Sequence, residues 1–198
     1  HAPAPAPRAG GLALAQAGKT AYAIAVAEGA AAPERMAATE LATALQQITG
    51  AEFAVMTPLQ AQGRAVIAVG PGAAKAMVPG LSLEKASLGD DGTVMRTVPP
   101  HLVLSGAEGA RRGTLYAVYT FLEDVCGIRW WTPQDSYVPR QPDLAVAALD
   151  VTYVPVFRYR EALYRRLAGA GKDPAKARFL VQAKFNGNFN DIPAEWGG

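Results

Sequence analysis

Two pairs of carboxylates are the first residues here that could do acid–base work. Asp90-Asp91 precede Gly92 in a turn-forming triplet, and Glu123-Asp124 stand at the end of an apolar helical stretch. Neither pair has a second acid converging on it from a recognisable strand end, so both read as solvated structural charge. An N-terminal His1 with a distant His101 could form a copper brace. His1 heads an Ala-Pro run, however, and the chain has no His-Glu-x-x-His zinc motif. Cys126, the one cysteine, follows Tyr119, Phe121, Leu122 and Val125 and reads as a buried small hydrophobe. Gly70-Pro71-Gly72 and Arg111-Arg112-Gly113 lack the full phosphate-loop or dinucleotide pattern and read as tight turns. Asn186, Asn188 and Asn190 around Gly187 are turn formers that can also make polar ligand contacts. Trp130 and Trp131 are neighbours, so on a strand they face opposite sides. One belongs to the core; the other, taken as Trp131, is a platform or a domain contact.

The bulk numbers narrow the classes. A chain of 198 residues holds one well-buried domain, or one domain and part of a second. Charged residues make up 18%, below the usual quarter or so, and the net charge is +2 with Lys and Arg scattered. That gives no electrostatic case for nucleic acid. No apolar stretch reaches the roughly 18 residues of a membrane span. The opening Pro-Ala run is of the kind that follows a cleaved signal peptide or lipoprotein anchor, so a secreted, periplasmic or cell-surface location is expected.

The elements that must position these residues show in the patterning. Residues 22–27 alternate larger side chains with Ala, as in a strand with one tightly packed face. A helix starts near Pro33, carries Met36, Leu41, Leu45 and Ile48 on one side, and stops at Gly50. Residues 53–56 and 64–69 are short strands, the second leading into a short helix at 73–77. Residues 93–98 and 102–104 flank Pro99-Pro100 as a hairpin. The strongest helix is 112–125, with Leu115, Val118, Tyr119 and Leu122 forming one apolar stripe before Gly127. A strand at 128–131 follows. Beyond a Pro/Ala-rich stretch the pattern gives a strand at 157–163, a helix at 175–183 and a polar strand or loop at 185–190. The succession indicates an α/β sandwich, helices covering a mixed sheet.

Three segments carry a family resemblance. Arg112-Gly113-Thr114-Leu115-Tyr116-Ala117-Val118-Tyr119, followed by Gly127-Ile128-Arg129-Trp130-Trp131-Thr132-Pro133, resembles the hallmark of an N-terminal domain that precedes glycoside-hydrolase barrels. That domain occurs in family 67 α-glucuronidases, in family 163 endo-β-N-acetylglucosaminidases and, more distantly, in family 20 β-hexosaminidases; the tone is nearest the family 163-like group. Leu41-Ala42 through Ile48-Thr49-Gly50, then Ile67-Ala68-Val69-Gly70, are similar to its first half. Val156-Phe157-Arg158-Tyr159-Arg160 resembles the first barrel strand, and Ala177-Arg178-Phe179 with Phe185-Asn186-Gly187-Asn188 the next helix and second strand. The resemblance implies that the catalytic carboxylates lie on later barrel strands, which this sequence does not contain. It also implies a role for Arg160. In family 20 a Tyr-Arg-Gly on the first barrel strand grips hydroxyls of the sugar at the cleavage point, and Tyr159-Arg160-Glu161 matches it except for the Gly. A guanidinium's fixed donors suit a sugar diol or a uronate carboxylate.

These readings fix the expectations. The fold is α/β, a mixed-sheet sandwich followed by the first strands of a truncated (β/α)8 barrel. Residues 1–20 are flexible, 21–138 form an accessory domain, 139–152 a connector, and 153–198 the start of the barrel. The function is that of the non-catalytic N-terminal portion of a secreted glycoside hydrolase acting on N-acetylhexosamine- or uronic-acid-containing glycans. The alternative is a carbohydrate-binding or surface-assembly module without hydrolase activity. Arg160, Asn186, Asn188 and Trp131 are the substrate-binding candidates; no catalytic residue, metal or cofactor is expected. The partners are a glycan and the rest of the barrel, in the same or a separate chain. An apolar surface left exposed by residues 153–198 favours the first function; a compact fold around an aromatic platform favours the second.

Overall fold

A computed structural model describes residues 10–161, 167, 169–187 and 192–198. Along the chain run β1 (Leu12–Ala15), β2 (Ala23–Val26), α1 (Ala32–Thr49), β3 (Val55–Met56), β4 (Val66–Val69), α2 (Pro71–Met77), α3 (Lys85–Leu88), β5 (Thr93–Val98) and β6 (His101–Ser105). Then come α4 (Gly113–Thr120), extended by a π-helical turn Phe121–Val125, β7 (Arg129–Trp130), β8 (Ser136–Tyr137), β9 (Leu144–Val146), β10 (Asp150–Tyr153) and α5 (Pro174–Gln182).

Six strands form a mixed sheet in the order β10-β5-β6-β4-β2-β3. β3, β2, β4 and β6 are parallel; β5 and β10 add antiparallel at one side. Alternation sorts the side chains. Ile24, Ile67, Val69, Met95, Leu102 and Leu104 share one core with α1, α4 and α5. Ala23, Ala25, Val66, Ala68, Val94 and Val103 share the other with α2 and α3. Small residues fill the second face because α2 lies close to it: a Cβ on Gly72 would come within 2.7 Å of the Ala27 Cβ. The strand read with one packed face is therefore central and buried on both.

Local signals set the helix ends. The Glu34 carboxylate accepts the Ala31 N–H at 3.2 Å, and Gly50 closes α1 at φ 79°. The β5–β6 hairpin pairs Val98 with His101 around a cis Pro99-Pro100 bond. Gly113 through Tyr119 are all buried, so the expected single stripe becomes all-round burial. The reason is that α1 and α5 both pack on α4 as well as the sheet.

Several boundaries differ from expectation. β1 falls in the stretch read as flexible and pairs with β9 in the stretch read as connector, burying Leu12, Leu14, Leu144 and Val146 in the main core. Short Leu/Ala alternations inside Ala- and Pro-rich sequence leave little periodicity to read. β7 pairs only with β8, as a separate hairpin outside the main sheet. Residues 157–161 form no strand, and among the described residues they have no neighbouring strand to pair with along their length. Their tie is local: Arg160 O accepts the N–H groups of Asn186 at 3.0 Å and Gly187 at 3.2 Å. Residues 162–163 lie outside the described residues. α5, capped by Asp173 Oδ1, sends Ala177, Leu180 and Val181 into the main core beside Ile192 and Trp196. The tail thus packs onto the first unit, while the segment before it stays exposed. Among the described residues no helix is long and apolar enough to cross a membrane.

Candidate functional site

Arg160 lines a cleft of about 660 Å³ between the loop before β5 and the segment after β10. Its Nε donates to Lys184 O at 2.8 Å, Nη1 to Phe157 O at 2.7 Å and Nη2 to Asp91 Oδ2 at 2.9 Å. The guanidinium also lies 5.6 Å from the centroid of the Tyr116 ring. Asn186 joins the same knot: its Oδ1 accepts the Arg160 N–H at 2.7 Å, and its Nδ2 donates to Asp91 Oδ2 at 2.6 Å. Two of the expected ligand residues therefore meet, but on a carboxylate of the chain itself. Asp91, read as solvated charge, is the acid they share, and its side chain is only 13% exposed. Nothing in Asp-Asp-Gly distinguishes a buried partner from a turn acid, so the sequence held no signal for it. Asp90 instead pairs with Lys85 at 2.6 Å on the surface. Arg111 and Arg158 also line the cleft, exposed and without an ion pair among the described residues.

The hallmark segment has a structural explanation. Gly113 packs against the turn after β6, where its own Cβ would fall 2.5 Å from Gly92 O and 2.9 Å from Gly106 Cα. Thr114 Oγ1 accepts the Gly106 N–H at 3.1 Å. The Arg112 side chain, in a residue 5% exposed, donates to Trp196 O at 3.2 Å and Phe185 O at 3.3 Å. Tyr116 OH donates to Phe185 O at 2.8 Å, and burial pushes its hydroxyl's pKa above the ordinary value. Arg-Gly-Thr-x-Tyr is thus a clamp on the C-terminal tail.

Open α/β sheets bind ligands beyond the strand ends where connections part to opposite faces. Here that place lies between β2, leading into α1, and β4, leading into α2. It is filled: the Glu34 carboxyl carbon stands 3.2 Å from where a Gly70 Cβ would be, and Gly72 abuts Ala27. Burial raises the Glu34 pKa above the usual carboxylate value.

The two tryptophans differ in burial. Trp131 is 63% exposed on the β7–β8 hairpin, its N–H donating to Asp135 O at 3.0 Å. Trp130 is half-buried and meets Tyr119 edge-on, centroids 5.5 Å apart. Asn188, Asn190 and His1 lie outside the described residues. His101 has a buried Nδ1 without a hydrogen-bond partner among the described residues, and burial lowers its pKa. No group of three or more His, Cys, Asp or Glu that could hold a metal occurs among the described residues. A second groove, about 590 Å³ and apolar, runs beside β10 past Met95, Leu149, Val151 and Tyr153. From it Val154, Val156, Phe157 and Tyr159 continue as exposed apolar side chains, Phe157 at 73%.

Residues 13–121 match the family described as Glycosyl hydrolase family 67 N-terminus. No curated protein matches the sequence. Among solved structures the fold is similar to a family GH115 4-O-methyl-α-glucuronidase with specificity for decorated arabinogalactans (TM-score 0.62, 14% identity, covering 92% of this chain and 28% of that one). It is also similar to a mutant Streptomyces plicatus β-hexosaminidase in complex with its product GlcNAc (TM-score 0.54, 17% identity, 89% and 30%). At these identities the likeness is one of fold, and the chain spans less than a third of either protein.

Proposed function

The chain belongs to the family of glycosyl hydrolase family 67 N-terminal domains, and from that premise we propose that it is the non-catalytic N-terminal portion of a secreted glycoside hydrolase acting on N-acetylhexosamine- or uronic-acid-containing glycans. It supports the catalytic barrel and borders the substrate cleft. The observation that carries this reading is the state of the two acids in the Arg160 cleft. Asp91 is held by Arg160 and Asn186, and Asp90 by Lys85, which leaves neither free for proton transfer. Two carboxyls flanking a bond are what glycoside hydrolysis ordinarily requires. The exposed apolar run over residues 151–159, continuous with the groove beside β10, supports a barrel-facing side. Arg111 and Arg158 are the guanidiniums left open to a glycan.

The test is glycan-array binding together with hydrolysis of chromogenic α-glucuronides and β-N-acetylhexosaminides by this chain alone. Binding without turnover is expected. Sustained hydrolysis abolished by Asp91→Asn would place catalysis in this chain and overturn the reading. Export is tested by cell fractionation of the native protein.

A further inference from the structure

Between the β7–β8 hairpin and helices α1 and α5 lies a second polar concavity, a pit of about 280 Å³. It is separate from the Arg160 cleft and shares no lining residue with it. On its buried side Glu40, its side chain 12% exposed, accepts from Tyr119 OH at 2.9 Å and from Arg178 Nε at 2.7 Å. That ion pair ties α1, α4 and α5 together. Gln182, in the last turn of α5, also lines the pit. The residue is 6% exposed, yet its amide makes no hydrogen bond among the described residues. The amide's own atoms keep some solvent contact, since among the described residues His101 Nδ1 is the one side-chain atom both buried and unbonded, so the Gln182 amide is open to bond a ligand or water. Around the mouth, Thr43 and Gln47 on α1 and Gln134 and Asp135 on the hairpin present side chains that are equally unbonded. Trp130 supplies an aromatic wall.

We propose that this pit binds one neutral pyranose unit of a glycan. Amides and hydroxyls donate and accept at once, as vicinal sugar hydroxyls do. An aromatic wall suits the C–H side of a sugar ring. At about 280 Å³ the pit lies just under the roughly 300–1,000 Å³ of drug-sized ligand pockets, the size for a single ring rather than a chain. Charge decides against an acidic sugar: Arg178 is matched by Glu40, which leaves Asp135 to repel a carboxylate. The choice of a saccharide over another small polyol rests on the glycan-processing reading above.

Backbone-amide NMR of the 198-residue chain, titrated with glucose, N-acetylglucosamine, glucuronic acid and glycerol, tests the site. Either neutral sugar should shift α5 and hairpin resonances with a Kd of about 1–10 mM. Gln182→Met should weaken that binding at least about tenfold. Gln134→Ala, at an exposed hairpin position that the fold does not depend on, should weaken it about threefold. Glucuronic acid and glycerol should bind more weakly than the neutral sugars. The pit is overturned if no neutral sugar shifts these residues, if Gln182→Met and Gln134→Ala leave the shifts unchanged, or if glucuronic acid or glycerol binds as well. Binding that disappears with Arg158→Gln instead would overturn the pit while leaving the glycan reading standing; a negative glycan array would count against that reading itself.

Discussion

Arg160 Nη2 stands 2.9 Å from Asp91 Oδ2, and the two side chains are only 19% and 13% exposed. The contact joins the turn before β5 to the segment after β10. With its other nitrogens on the carbonyls of Lys184 and Phe157, the guanidinium is committed on three sides. Turning it toward a sugar would strand a buried carboxylate. The geometry makes Arg160 a strut.

Arg160→Ala should therefore destabilise the chain by about 3 kcal/mol, the cost of leaving a mostly buried charge unpaired. For a chain of this size that is a fall in Tm of about 6–12 °C. Adding Asp91→Asn should recover part of the loss, since the stranded charge is then gone. Chemical and thermal denaturation of the single and double variants measures both. Unchanged stability with lost glycan binding would return Arg160 to a gripping role.

Gly113 offers a test of why the hallmark segment contains a glycine. Its φ is not positive, so conformational freedom is not the reason; close approach to Gly92 and Gly106 is. Gly113→Ala should cost about 2 kcal/mol or more through overpacking against backbone that cannot yield, lowering Tm by about 4–8 °C. Gly29→Ala, where an added Cβ meets nothing within 4 Å, should be close to neutral. Equal effects at both positions would sink the packing account.

The sheet and the long helices were legible because their signals are local. Pro33 and Gly50 bracket α1, and Tyr22 to Ala27 alternate as β2 does. β1 and β9 were not legible, since each is short and its strand partner among the described residues is the other, across most of the chain. The site divides in the same way. Arg160 and Asn186 stood out by residue type, and the structure brings them together. What they hold, Asp91, and what the hallmark clamps, the carbonyls of Phe185 and Trp196, depend on contacts spanning about 70 to 95 positions. Gln182 carried no signal at all: an unpaired amide shows only once its surroundings are known.

Cys126 should be inert in the native chain. The residue is fully buried, and burial pushes its thiol up to about 12. Near pH 8 only about one thiol in ten thousand would then be ionised, and the thiolate is the reactive form. Ellman's reagent should label no thiol in buffer and one per chain in guanidinium chloride. Rapid labelling of the native chain would mean that the α4 extension opens readily.

His101 gives stability a pH dependence of predictable sign. Its Nδ1 is buried without a partner among the described residues, and burial holds its pKa below the ordinary value of about 6.5. As pH falls below about 6.5, the unfolded chain takes a proton that the folded chain refuses until lower pH, so stability declines across that window. Glu34 acts oppositely and lower down. Burial raises its pKa, so the folded chain binds that proton first, and stability rises as pH falls from the raised value toward the ordinary carboxylate range. Thermal melts between about pH 7 and pH 4 should show the first decline, and His101→Gln should flatten it while leaving the acid-side limb in place. A decline that survives His101→Gln would assign it to another group.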